Sequence, residues 1–90
     1  MSKAIITVVG RDTVGIIARV CTYLAGEKIN IEDISQTIVA GYFNMMMVVD
    51  TSACEKPLGE VITDLTAVGE ELGVVIHCQS EDLFTRMHRI

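Results

Sequence analysis

The chain has 90 residues, half of them apolar, and twelve acids against seven Lys and Arg give a net charge of −5. That length fits one domain with little stability to spare, because a chain this short buries only roughly 60–65% of the surface it exposes when unfolded. The negative balance disfavours direct nucleic-acid binding, which needs cationic side chains against phosphate. The apolar runs at Ile5–Val9 and Met45–Val49 fall far short of the roughly 20 residues of a membrane span. Arg11 and Asp12 interrupt the first run too early for a signal peptide. A cytoplasmic protein is expected, one that meets no membrane.

Cys21, Cys54 and Cys78 are odd in number and widely spaced, and His77 and His88 fall in different segments. This pattern fits small, buried or half-buried apolar residues in a reducing compartment, and offers no metal ligand set, no cofactor motif and no catalytic constellation.

In chain order, Lys3–Val9 is a β-rich run, apolar on both faces, ending at Gly10-Arg11-Asp12. From Val14 the period becomes helical, with Ile17, Val20, Cys21 and Leu24 on one stripe and Asp12 or Thr13 as the cap. Ile29–Val39 reads as a strand whose apolar phase slips, which demands a bulge near Glu32-Asp33. Ala40-Gly41 is a tight hairpin turn, with Gly41 free to take a positive φ. Tyr42–Asp50 pairs back, with Phe43, Met45, Met47 and Val49 on one face. Pro57 opens a second helix with Leu58, Val61, Ile62, Leu65, Val68 and Leu72 in its stripe, and Gly73 closes it. Gly69 in its last turns implies either close backbone packing or early fraying. Val74–Gln79 is the fourth strand.

Residues 80–90 read as a short helical tail. Ser80 caps it, Glu81 and Asp82 sit at its positive end, and Arg86 and Arg89 at its negative end. Leu83, Phe84, Met87 and Ile90 form its apolar stripe, and so short a helix must dock on something to be ordered.

The order β-α-β-β-α-β defines an α+β, ferredoxin-like sandwich over residues 3–79: a four-stranded antiparallel sheet with two helices on one face. Three strands are apolar at successive positions, so the other sheet face avoids water too. Either the tail covers it or the protein self-associates into a homodimer, through sheet faces or paired strand edges.

The fold hosts many functions, so the loops must decide among them. Low aromatic content and negative charge argue against an RNA-recognition module. The loop before the first helix lacks the Cys pair of a copper chaperone, and Arg11 with Asn44 is a thin match to an acylphosphatase. The run Val9-Gly10-Arg11-Asp12-Thr13-Val14-Gly15-Ile16 resembles the Gly-x-Asp-x-x-Gly-hydrophobic turn of ACT domains, the amino-acid-sensing modules of metabolic enzymes and regulators. Ile29-Asn30-Ile31-Glu32-Asp33-Ile34 resembles that family's Asn-Ile start of the second strand. Asp33-Ile34-Ser35-Gln36-Thr37 and the ending Met87-His88-Arg89-Ile90 resemble stand-alone prokaryotic ACT proteins, related to the ACT domains of the glycine-cleavage-system transcriptional repressor. One departure is Lys28 where the family commonly has Gly, with Gly26 two residues earlier. Either Lys28 takes a left-handed conformation or the helix ends sooner.

The resemblance implies a single ACT domain over residues 1–90, acting as a non-enzymatic regulatory module. Its ligand, a free amino acid, would sit where the first loop meets the start of the second strand, often across a subunit boundary. The residues so implicated are Gly10, Arg11, Asp12, Thr13, Val14, Gly15, Asn30 and Ile31. Helix N–H groups around Thr13–Gly15 would meet the carboxylate, and Asp12 or Asn30 the ammonium. Each also has a structural alternative: Asp12 as N-cap, Gly15 in packing, Asn30 in a turn, Arg11 as a solvated charge. With no output domain, such a module acts through a protein partner. The other classes open at this point are a ligand-free oligomerisation or adaptor module and, more distantly, a small-molecule enzyme such as an acylphosphatase.

Overall fold

The structure, a computed structural model, describes residues 2–87, apart from the side chains of 86 and 87. Its order is β1 (Lys3–Arg11), α1 (Ile16–Gly26), β2 (Asn30–Val39), β3 (Tyr42–Asp50), α2 (Leu58–Leu72), β4 (Val74–Ser80) and α3 (Glu81–Met87). The strands form one sheet in the order β2-β3-β1-β4. Every hydrogen-bonded pair is antiparallel, so β2 runs in the same direction as β1.

Strand periodicity sorts the side chains into two faces. Ala4, Ile6 and Val8 of β1 join Phe43, Met45, Met47 and Val49 of β3 and Val74, Ile76 and Cys78 of β4 on the helix side. Ile16, Val20 and Leu24 of α1 and Val61, Leu65 and Val68 of α2 complete this core. Ile17, expected in the α1 stripe, is instead exposed, because the stripe centres on Ile16.

Several irregular features follow the sequence closely. The bulge in β2 falls between Ile31 and Asp33. Both hairpin residues, Ala40 and Gly41, have positive φ, as a two-residue turn compatible with strand twist requires. The helix ends at Gly26 and Lys28 adopts φ 61°, so the missing glycine is met by a left-handed lysine. Gly69 packs closely: a Cβ there would lie 2.7 Å from the Val74 carbonyl oxygen.

The opposite sheet face is covered only in part. α3 lies against β1 and β4, and Ile5, which points away from the core, is 7% exposed. Ser80 accepts a hydrogen bond from the Leu83 N–H at 3.2 Å, the expected cap. Phe84 is half-buried and Leu83 exposed. The roles read for Arg86, Met87, Arg89 and Ile90 lie outside the described side chains. Further along the face, Val9, Met46 and Val75 are exposed, so β1 is not buried on both sides throughout.

An exposed helical glycine gains roughly 1 kcal/mol on replacement by alanine. Gly69→Ala should do the opposite, lowering stability by about 1–3 kcal/mol in urea unfolding, because the added methyl meets backbone.

Candidate functional site

The loop after β1 departs from the sequence expectation in a specific way. β1 continues through Gly10 and Arg11, because the hairpin presents Phe43 and Tyr42 as their partners. The Asp12 N–H donates to the Gly41 carbonyl at 2.9 Å, so the chain stays tied to the hairpin until residue 12. The helix therefore starts only at Ile16, with Gly15 at φ 93° as N-cap and no side-chain cap. Neither Asp12 nor Thr13 caps it.

This separates the implicated residues. Gly10 serves packing, since a Cβ there would lie 2.7 Å from Val74 Cγ1. Arg11 leans over the Tyr42 ring at 5.8 Å from its centroid, on the face turned away from the helices. Val14 is almost fully exposed. Asp12, Thr13 and Gly15 remain together, beside a depression of about 240 Å³ between the start of α1 and the edge strand β2. Ile17 and Ala18 of α1 and Gln36 and Ile38 of β2 also line it, with Phe43 at its floor.

Asn30 and Ile31 are elsewhere. Asn30 pairs with Asp50, which pairs with Lys3 at the far end of β1. Eight residues of strand at about 3.3 Å each put that end roughly 26 Å from the loop. Within one chain the two motifs do not meet. The residues that do line the depression from β2, Gln36 and Ile38, are not among those the resemblance implicates in ligand binding. They were recoverable from topology, since a βαβ unit makes β1 and β2 parallel and sends their starts to the same end.

The depression has a defined electrostatic character. α1 has no side-chain cap and no acid in its first turn, so its N-terminal N–H groups and positive dipole end are left for an external acceptor. Asp12 supplies a carboxylate at the rim. Ile17, Ala18 and Ile38 give apolar contact.

A larger cavity, about 550 Å³, lies at the other end of the sheet, between the β3–α2 connection and the start of α3. Its two lysines are already committed, Lys3 to Glu32 at 2.6 Å and Lys56 to Asp64 at 2.7 Å. Asp64 also accepts from the Tyr23 hydroxyl at 2.6 Å. Burial and this carboxylate hold the Tyr23 phenol well above its ordinary range, while Lys56 and Tyr23 hold Asp64 below its own. The network links α1 to α2. Among the described residues no His, Cys, Asp and Glu cluster could hold a metal ion, and no helix is long and apolar enough to cross a membrane.

A four-stranded β2-β3-β1-β4 sheet with α1 and α2 on one face is the ferredoxin-like sandwich. Residues 2–79 match the ACT domain, and the chain belongs to that family. A UPF0237 protein of Bifidobacterium longum is 60% identical over the whole of both chains. The solved ACT domain protein from Streptococcus pneumoniae is 42% identical, with a TM-score of 0.82 over 92% of this chain and 93% of that one. A putative glycine cleavage system transcriptional repressor shares the fold, with a TM-score of 0.75 at 21% identity over 88% of this chain and 45% of its own.

Cys21 and Cys54 are half-buried and Cys78 is buried, all as free thiols. Burial pushes the Cys78 thiol up to about 11. At pH 8, iodoacetamide should therefore label Cys78 in the folded protein far more slowly than after denaturation, as read by mass spectrometry of the labelled peptides. The same shift means the unfolded thiol ionises first, so stability should fall as the pH rises from 9 toward 11.

Proposed function

We propose that this protein is a regulatory module that binds a free amino acid as a homodimer and passes the signal to a protein partner. The observation that carries the reading is the division of the site. The uncapped start of α1 and Asp12 stand at one end of the sheet, and Asn30 and Ile31 at the other. Both lie beside β2, an edge strand of ten residues.

Two copies joined antiparallel along β2 would bring the halves together. With the two-fold axis near the middle of the strand, the partner copy's β2 start falls opposite Ile38 and Val39, next to the loop. The edge supports such pairing. Its acids and bulge are confined to Glu32 and Asp33, and the rest, Ile34–Val39, is uncharged, with Ile34, Ile38 and Val39 exposed. A ligand carboxylate then meets the α1 N–H groups, its ammonium meets Asp12 and the second copy's Asn30, and its side chain meets Ile17 and Ile38. A residue-sized ligand fits 240 Å³.

Thermal unfolding of the purified protein with each free amino acid at millimolar concentration tests this reading. At least one should raise the melting temperature. Asn30→Ala should weaken its binding by about 1–3 kcal/mol, the cost of a missing polar partner. If no amino acid shifts the transition, the ligand-free adaptor reading replaces this one. A monomer in light scattering at low micromolar concentration would remove the shared site.

A further inference from the structure

The depression beside α1 is lined by nine described residues, of which only Asp12 carries a charge. The cations nearest along the chain are turned away or paired. Arg11 leans over Tyr42 on the opposite sheet face, and Arg19 is tied to Glu71 at 3.1 Å. A second copy joined along β2 adds no charge there either. Its Glu32 is bonded to Lys3, and its Asp33 stands in the row of Val48 and Ile5, on the face away from α1. Thr13 belongs with Asp12 to the loop, at the end where the ligand's carboxylate and ammonium sit. The remaining wall is apolar apart from Gln36. That residue pairs with Met45 of the core, which places it on the α1 side of the sheet, one row in from Ile38 and Phe43. Successive rows on one face lie about 6.6 Å apart along a strand. Among the described residues no protein group hydrogen-bonds the Gln36 carboxamide, so its carbonyl oxygen and its N–H groups are left for water or a ligand.

We infer that Gln36 sets the specificity of this site, for amino acids whose uncharged side chain ends in a carboxamide. The inference rests on the amino-acid reading proposed above. With the ligand carboxylate at the α1 N–H groups and its ammonium at Asp12, its side chain runs between Ile17 and Ile38 toward Gln36. A carboxamide donates and accepts from one planar group, so two of them pair through two hydrogen bonds. Its polar atoms lie two bonds beyond Cβ in asparagine and three in glutamine. Together with the reach of Gln36 itself, that covers the step of one row from Ile38. An acidic side chain meets no cation there, and it stands in the field of Asp12 and of a net charge of −5. A basic one sets its charge against Ile17, Ile38 and Phe43 with a neutral amide as its partner. An aliphatic one suits the apolar wall but strips water from Gln36 without replacing its hydrogen bonds. Gln36 is exposed at an open rim, so this last loss is a factor of about ten, far below that of a sealed polar pocket.

Isothermal titration of the full chain with glutamine, glutamate and leucine, three side chains of similar size, tests it. Glutamine should bind about tenfold or more tighter than leucine, and glutamate weakest of the three. Gln36 is exposed on an edge strand, so its replacement leaves the core intact. Gln36→Leu should weaken glutamine and at the same time tighten leucine. Damage to the fold or to pairing along β2 would weaken both ligands, so the reversal identifies a direct contact. Gln36→Glu keeps the shape, and because its carboxylate cannot donate, it should also weaken glutamine about tenfold. Leucine binding the wild type as tightly as glutamine overturns the inference and leaves the amino-acid site standing. So does a charged amino acid that binds tightest, or a glutamine affinity unchanged in both variants. If no amino acid gives heat or a thermal shift with the wild type, the site itself falls, and this inference with it.

Discussion

The crossover from β1 through α1 to β2 constrains most of what this molecule can do. It makes the two strands parallel, with β3 between them. Parallel strands start at the same end of a sheet, so the end of β1 and the start of β2 are separated by the full strand length. A site built from both cannot close within one chain. The same topology leaves β2 at the sheet edge with unpaired backbone groups, next to the start of α1. The proposed recognition and the proposed self-association therefore converge on one strand.

Charge is distributed in keeping with this. Apart from Lys3 with Glu32 at one end of the sheet, the ion pairs among the described residues lie on the outer side of the helices: Arg19 with Glu71 at 3.1 Å, and Lys56 with both Asp64 and Glu27. Exposed pairs of this kind contribute roughly 0–1 kcal/mol each, so their role is alignment of α1 against α2 more than stability. The sheet side, in contrast, is nearly bare of charge in its centre. A chain with a net charge of −5 thus keeps much of its charge on the helix side and little in the centre of the open face.

Much of the fold was legible in the sequence because it was written locally. The hairpin at Ala40-Gly41, the bulge beside Glu32, the stop at Gly73 and the cap at Ser80 each depend on a few adjacent residues, and each stands where the pattern put it. The errors share a different cause. Gly10 and Arg11 looked like loop residues, yet they are strand because Phe43 and Tyr42 pair with them across the hairpin. Asp12 looked like a cap, yet its backbone is held by Gly41, so the helix begins later. Ile17 looked like core, but the stripe rotates once Ile16 becomes the first helical residue. In each case a cross-strand partner overrode a local preference. The candidate site is the least legible part, because the motifs name the loop and Asn30 together while topology puts them a strand length apart within one chain.

The position of the site at an edge has a thermodynamic consequence. α1 starts without a side-chain cap or first-turn acid, whereas α3 has Ser80 and α2 has Glu60 in its first turn. An N-cap side chain contributes typically about 1 kcal/mol, so its absence at α1 is a stability increment left for something outside the chain. A ligand that supplies the missing acceptor while touching Asn30 of a second copy binds the dimer better than the monomer. Linkage then requires the reverse: pairing of two β2 edges must tighten the ligand by the same factor that the ligand tightens the pair. Under the proposed reading, the variable that a ligand changes is the population of the paired state.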